Sequence, residues 1–218
     1  IRRIFPGLII LIIICVPAFS LILSPDHLVN FSQSALSNLF FIPNIYYWTQ
    51  SNYFDLSSNF KPLLHTWSLG VEFQFYFIWP IFLFFIYKLT KKKYLLYFIF
   101  ILIIILSIIL LEILIKKGPV FEVDGFLYGK FVKDTIFYLT PLRMHEFIFG
   151  ALLAINLNRF NNNLLNEIIF FIGLLLIFFS SIIINEKYYF PSTISLIPLF
   201  GTFLIIFAQK AKLFGYVL

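Results

Sequence analysis

The sequence predicts an all-α fold, a polytopic transmembrane helical bundle with about six spans in 218 residues. Three observations carry that prediction. Hydrophobic residues make up 61% of the chain and charged residues only 12%, about half the roughly 25% charged content of soluble globular domains. The mean hydropathy of +0.97 leaves too few polar side chains to coat a water-soluble surface, whereas helices that satisfy their own backbone in lipid need such a composition. Apolar runs near the roughly 20 residues that cross a bilayer recur along the chain with short connections, leaving no room for a soluble domain.

Residues 4–23 are the first expected span, with Arg2 and Arg3 before it and Ser24, Pro25 and Asp26 after it. Its cationic start and the Pro17, Ala18, Phe19, Ser20 stretch imitate a signal peptide, but the further spans argue against its removal. Residues 24–68 are expected to be a long extracytoplasmic connection rich in Asn, Ser, Tyr and Phe. Its apolar stretch, 36–48, is broken by Pro43 and Asn44 and is too short to span comfortably. Trp48 with Tyr46, Tyr47 and Tyr53 fits an interfacial or re-entrant segment, serving either as an aromatic belt or as a substrate contact.

The second span is expected over 69–87, a basic turn over 88–93, the third span over 94–115 and a polar extracytoplasmic loop over 116–140. Glu112 and Lys116 stand four apart and are expected to form an ordinary helix-edge pair without a functional role. Spans four, five and six are expected over 141–157, 168–184 and 193–208, with Pro198 and Gly201 tolerated inside the last if neighbours satisfy the backbone. Phe and Ile dominate throughout, but no polar or glycine marker recurs at a fixed period, so a repeat architecture is not indicated.

In a six-span layout Arg2, Arg3, Lys88, Lys91, Lys92, Lys93, Arg159, Lys210 and Lys212 fall on one side, which the positive-inside rule makes cytoplasmic. Both ends of the chain are then expected inside. The formal charge of +6 does not point to nucleic acid, because the cations sit between apolar runs and build no basic face. Cys15 is the only cysteine, so there is no intrachain disulfide and no thiolate cluster for a metal. The absence of an initiator methionine at Ile1 and the stop after Lys212–Leu218 lead us to expect a piece of a longer protein.

Two stretches carry polar groups where lipid makes them costly, at least about 2.5–3.5 kcal/mol for a charge at the bilayer centre. The first runs from Lys61 to Tyr76 into span two. On a helix starting near Thr66, Ser68, Glu72, Tyr76 and Trp79 share a face, and an extra turn would align His65 with Glu72. Imidazole and carboxylate are the groups that move a proton to or from an acceptor hydroxyl; the alternative is an interfacial His65 and a Glu72 that fixes packing. The second stretch runs from Phe137 to Ala151, where Arg143 and Glu146 stand three apart, close enough to pair as either a structural or a catalytic couple. Gly150 follows one turn on and admits a close helix neighbour. No phosphate loop, two-histidine metal spacing, Gly-x-Ser-x-Gly elbow or paired cysteine is present.

The run Pro62-Leu63-Leu64-His65-Thr66-Trp67-Ser68-Leu69, followed by Val71-Glu72, Gln74-Phe75-Tyr76 and Trp79-Pro80, resembles the signature of the acyltransferase-3 family. The resemblance extends to Arg2-Arg3-Ile4-Phe5-Pro6, to Asn44 and Trp48, and to Arg143-Met144-His145-Glu146-Phe147 leading into Gly150-Ala151-Leu152-Leu153. It implies a multi-span bacterial inner-membrane enzyme, an O-acyltransferase moving an acyl group, usually acetyl, from cytoplasmic acyl-CoA to an extracytoplasmic glycan such as lipopolysaccharide O-antigen, capsule or peptidoglycan. It implies no resident cofactor or metal: acyl-CoA is the donor substrate, and the partners are the glycan acceptor and membrane lipid.

Carried onto this chain, the resemblance makes His65, Glu72, Arg143 and Glu146 catalytic candidates and Asn44, Trp48, Trp67 and Tyr76 substrate-binding candidates. Arg2 and Arg3 are suited to the CoA phosphates or, equally, to setting topology. The chain departs from the family pattern at Phe73, where a second acid is usual, at Gly70, where Ser is usual, and at His145, where Trp is common. The resemblance also places an essential Arg and His on a helix before Ile1, and a Trp-rich segment and any soluble hydrolase-like domain after Leu218, so the piece alone is expected to be inactive. A transporter or flippase of glycan or lipid intermediates, with its polar groups at broken helix entrances, and a non-catalytic membrane scaffold are the competing expectations.

Overall fold

The computed structural model describes residues 4–51, 60–89, 92–118, 131–155, 163–185 and 188–208. These residues form helices α1 (Phe5–Ile22), α2 (Pro25–Leu39), α3 (Pro43–Gln50), α4 (Trp67–Leu89), α5 (Lys93–Lys116), α6 (Val132–Tyr138), α7 (Thr140–Ile155), α8 (Asn163–Ile183) and α9 (Leu196–Phe207). Single 3-10 turns, Leu64–Thr66 and Thr193–Ser195, lead into α4 and α9. The all-α polytopic class is thus observed. Among the described residues four segments, Phe5–Ile22, Leu64–Lys88, Lys93–Lys116 and Leu164–Ile183, are long and apolar enough to cross a membrane. The remaining two expected spans correspond to shorter helices, α7 with 16 residues and α9 with 12. Only 6–28% of the residues in the spanning windows are buried, so most of their apolar surface is left for lipid or further helices.

The described residues of the connection expected over 24–68 are largely helical. Proline opens both α2 and α3 at their first turns, where its missing N–H costs nothing and its fixed φ favours the helix. α2 is polar in composition yet buries one face: Phe31 and Ala35 join Leu8 and Ile12 of α1 and Leu63 in a core, with Cys15 and Phe19 packed against it. Between α2 and α3 the chain reverses through Phe41, whose φ of 60° is left-handed and costs a non-glycine residue on the order of 1–3 kcal/mol. Its ring lies stacked on Phe73 of α4 at a centroid distance of 3.7 Å, which supplies contacts that hold the turn.

The chain divides into two compact units, one of Ile1–Leu89 with Pro119–Thr140, the other of Thr90–Gly118 with Pro141–Leu218. The first contains α1 to α4 and α6, with α3 seated between α4 and α6. The second contains α5, α8, α9 and nearly all of α7. Its tightest crossing is α8 on α9: a Cβ at Gly173 would sit 2.8 Å from the Gly201 carbonyl oxygen, and one at Gly201 would sit 2.9 Å from that of Gly173. Paired glycines let two backbones touch, the means by which helices associate where no hydrophobic effect separates helix from lipid. Phe149 of α7 meets Phe200 and Phe203 of α9 edge-on at 5.0 and 6.1 Å. Glu112, expected to pair with Lys116, instead accepts a hydrogen bond from the Thr193 hydroxyl at 3.0 Å, tying α5 to the turn before α9.

Candidate functional site

In the first unit three uncharged side chains close a hydrogen-bonded ring. Asn44, in the first turn of α3 and fully buried, donates through Nδ2 to the Tyr138 carbonyl at 3.0 Å and, more weakly, to Thr140 Oγ1 at 3.5 Å. Its Oδ1 accepts from Gln74 Nε2 of α4 at 2.9 Å, and the Thr140 hydroxyl donates to Gln74 Oε1. Each member both gives and receives, so the buried amides and hydroxyl are satisfied without water. That balance is what makes a buried polar network hold a structure rather than weaken it.

The ring depends on close approach of α3 to α4 at Gly70. A Cβ there would lie 2.7 Å from Asn44 Oδ1 and 2.8 Å from Pro43 Cδ, which gives this chain a reason to carry glycine where the resembled pattern has Ser. One turn beyond Asn44, Trp48 is 2% exposed and donates from Nε1 to Thr135 Oγ1 of α6 at 3.0 Å. Trp67, first residue of α4, packs on Phe137 at 4.4 Å and edge-on to Tyr138 at 5.7 Å. The expected substrate-binding residues Asn44, Trp48 and Trp67 are therefore brought together, as the buried joint among α3, α4 and α6. Tyr47 lies beside them, 2% exposed, and its burial pushes the phenol above its usual pKa, with the Ser34 hydroxyl offsetting part of that rise.

Tyr76 is half-exposed on the wall of a groove of about 700 Å³ lined by Phe41, Phe73, Gln74, Phe77 and Pro80, a volume within the range of small-molecule pockets. Gln74 belongs to both the ring and the groove. His65 is exposed on the 3-10 turn and Glu72 is partly buried in the second turn of α4; no hydrogen bond joins them among the described residues. Ser68 reaches the His65 carbonyl at 3.4 Å, not Glu72. Trp79, expected on the Glu72 face, stacks with Phe75 and Phe82 at 4.9 and 5.5 Å.

In the second unit Arg143 and Glu146 form the pair their spacing predicts. Arg143 Nε donates to Glu146 Oε2 at 3.0 Å and Nη2 to Oε1 at 3.2 Å, the two-pronged geometry in which guanidinium and carboxylate bind most strongly. The side chains are 14% and 24% exposed, so the couple neutralises charge at a partly buried position while the guanidinium plane stays fixed. Between them in sequence, His145 is fully buried and its Nδ1 lies 3.0 Å from Ser107 Oγ of α5. Arg2 and Arg3 lie outside the described residues. Among the described residues no three His, Cys, Asp or Glu side chains cluster as metal ligands.

Residue-by-residue reading of the sequence missed Gln74, Thr135, Thr140, Ser107 and His145 as site-forming groups. Gln74 and His145 stand inside the two motif stretches, and Thr140 opens the helix that carries Arg143; no comparable signal marks Thr135 or Ser107.

No known protein-family profile matches the chain, and no solved structure matches it. Among curated proteins it is 33% identical over 171 residues to an uncharacterised protein of Haemophilus influenzae, covering 76% of this chain and 66% of that one. It is 29% identical over 154 residues to a Staphylococcus aureus protein named "Putative O-acetyltransferase". Over the same length it is 30% identical to the peptidoglycan O-acetyltransferase of Listeria monocytogenes. Those last two matches cover 70% of this chain and 23% of each relative, so the chain spans about a quarter of the length of the named proteins. By sequence, the chain is thus a relative of bacterial proteins that carry the name O-acetyltransferase, a peptidoglycan-modifying one among them.

Proposed function

We propose that the protein to which this chain belongs is a membrane acyltransferase of the acyltransferase-3 type. It moves an acetyl group from cytoplasmic acyl-CoA to a hydroxyl of an extracytoplasmic glycan in the bacterial cell envelope. The observation that carries the proposal is the 154-residue match to a peptidoglycan O-acetyltransferase, supported by the coincidence of the motif stretches with the buried ring and the Arg143–Glu146 couple. In the reaction the acceptor oxygen attacks the thioester carbonyl, the carbon–sulfur bond breaks, and CoA leaves as the thiol once it has taken the proton lost by the acceptor. A fixed guanidinium suits the negative charge that develops on the carbonyl oxygen, and we assign that task to Arg143, held by Glu146. His65 and Glu72 are assigned to the acceptor side, where an imidazole and a carboxylate can handle the hydroxyl proton.

We place the protein in the inner membrane with Arg2 and Arg3 on the cytoplasmic side, where guanidinium groups match the CoA phosphates. The test is transfer of radiolabelled acetyl from acetyl-CoA to glycan in membranes carrying the full-length parent protein. Wild type, Glu72→Ala and Arg143→Ala are compared at matched expression. Label in wild type and its loss in both variants supports enzyme and sites together. Label retained in both variants makes these two residues structural, and an unlabelled glycan with wild type present removes the acyltransferase reading in favour of transport or scaffolding.

A further inference from the structure

Ser107 grips α7 at three points. Its Oγ lies 3.2 Å from the Pro141 carbonyl oxygen, 3.3 Å from that of Leu142 and 3.0 Å from His145 Nδ1. Both partners are sealed, Ser107 at 5% and His145 at 0% exposure, so neither can meet a glycan or a thioester and a nucleophile–base role is ruled out by access. A hydroxyl has one proton to give. With that proton directed to the carbonyl oxygens, Oγ accepts from His145 and the imidazole is the Nδ1–H tautomer. His145 Nε2 then remains a lone pair with no partner among the described residues.

The three contacts lie on one side of α7. At 100° per residue, Pro141, His145 and Leu142 fall within about one quadrant; Glu146 lies about 40° past Leu142 and Arg143 about 60° further round, so the couple runs from the flank of that quadrant toward the opposite face. A bond to that quadrant therefore sets the rotation of the first turns of α7 and with it the direction in which the bidentate pair points. Deeper along α5, Phe100, Ile104 and Leu111 are buried with Ser107, but apolar contacts between helices tolerate small rotations that a hydrogen-bonded bracket does not.

We propose that Ser107 and His145 are positioning residues for acyl transfer: they clamp α5 to the start of α7 and hold the Arg143–Glu146 couple at its working angle. The proposal rests on the acyltransferase reading above. A reacting group displaced by about 1 Å loses up to about 100-fold in rate, so breaking the clamp lowers kcat by about tenfold or more and leaves KM within a factor of about two.

The experiment uses the full-length parent protein in membranes, with Ser107→Ala, His145→Leu and His145→Asn, the last placing an amide N–H where Nδ1–H stood. Ser107→Ala and His145→Leu are expected to lose kcat at unchanged KM while the melting midpoint falls by no more than a few degrees and the protein stays folded at the assay temperature, His145→Asn to recover most of the lost kcat, and Ser107→Ala to add little on top of Arg143→Ala. Imidazole ¹⁵N resonances give a readout apart from turnover: a protonated Nδ1 and bare Nε2 in wild type, with that pattern lost in Ser107→Ala. Loss of folded protein in step with activity, equal failure of His145→Asn and His145→Leu, or full activity in all three variants would overturn the clamp. Wild type that labels no glycan overturns the enzyme reading and its positioning role with it, while the ¹⁵N pattern still reports whether the bond to Ser107 exists.

Discussion

Replacing Gln74 by leucine conserves side-chain bulk and deletes both amide atoms, which opens the uncharged ring at its centre. Two bonds between elements disappear, the 2.9 Å donation to Asn44 Oδ1 and the acceptance from Thr140. Interhelical side-chain hydrogen bonds in membrane proteins average about 0.6 kcal/mol and reach about 1.7, so the pair is worth about 1–3 kcal/mol. Full desolvation of an orphaned group would cost more, but Asn44 keeps its bond to the Tyr138 carbonyl at 3.0 Å and the Thr140 hydroxyl can rotate, so the lower range applies. The assay is thermal unfolding of the detergent-solubilised parent protein, read for Gln74→Leu, Asn44→Leu and the double variant. The single change should lower the melting midpoint by several degrees, and the double variant should cost less than the sum by at least about 0.5 kcal/mol, because opening the ring once removes the shared bonds. A Gln74→Leu protein that melts with wild type, or strict additivity in the cycle, would refute the ring as a cooperative unit.

Gly173→Leu should force α8 from α9, since even a Cβ meets the Gly201 carbonyl at 2.8 Å. The overpacking cost is about 1–3 kcal/mol or more, visible as lower folded yield by size-exclusion chromatography, and an unchanged yield and melting midpoint would exclude the glycine contact. Arg143→Ala should destabilise by stranding a partly buried Glu146, and adding Glu146→Gln should restore the melting midpoint without restoring acetyl transfer; recovery of both would make the couple purely structural. Because burial raises the Tyr47 pKa, the folded chain keeps that proton where the unfolded chain loses it, near pH 10. Stability should therefore fall as pH rises past about 10. Melting midpoints at about pH 9 and about pH 11 should fall less in Tyr47→Phe than in wild type, and parallel losses would exclude Tyr47 as the source.

What could be read from the sequence was whatever apolar length alone determines. The long spans around α1, α4, α5 and α8 stand out because lipid demands continuous apolar runs. α2 did not stand out, and its residues explain why. Ser34, Ser37 and Asn38 look like loop chemistry, yet each folds back on a carbonyl of its own helix, at 2.7, 2.7 and 2.9 Å. Polar side chains that satisfy themselves on the helix can be buried, and composition alone cannot distinguish that from a solvated loop. The prolines at the starts of α2 and α3 were the available signal.

The site divides in the same way. Arg143 and Glu146 pair across three residues, a spacing that local periodicity exposes. Asn44 finds Gln74 across 30 residues, and Trp48 finds Thr135 across 87. Such partners are set by how helices cross, for which the chain offers no local mark. Glu72 shows the converse. As a carboxylate in an apolar run it draws the eye, but the geometry gives the joint to Gln74 two residues on, an uncharged group that can close a ring in which an acid would leave a charge unpaired.

Asn44, Gln74 and Thr140 carry no ionisable group. A membrane potential exerts about 2.3 kcal/mol on each elementary charge moved through 100 mV, and acid or alkali acts on whatever titrates. The hydrogen-bonded ring itself offers neither force a handle. The ring is electrically silent, so that voltage or pH can reach this joint only through the groups around it, Tyr47 among them.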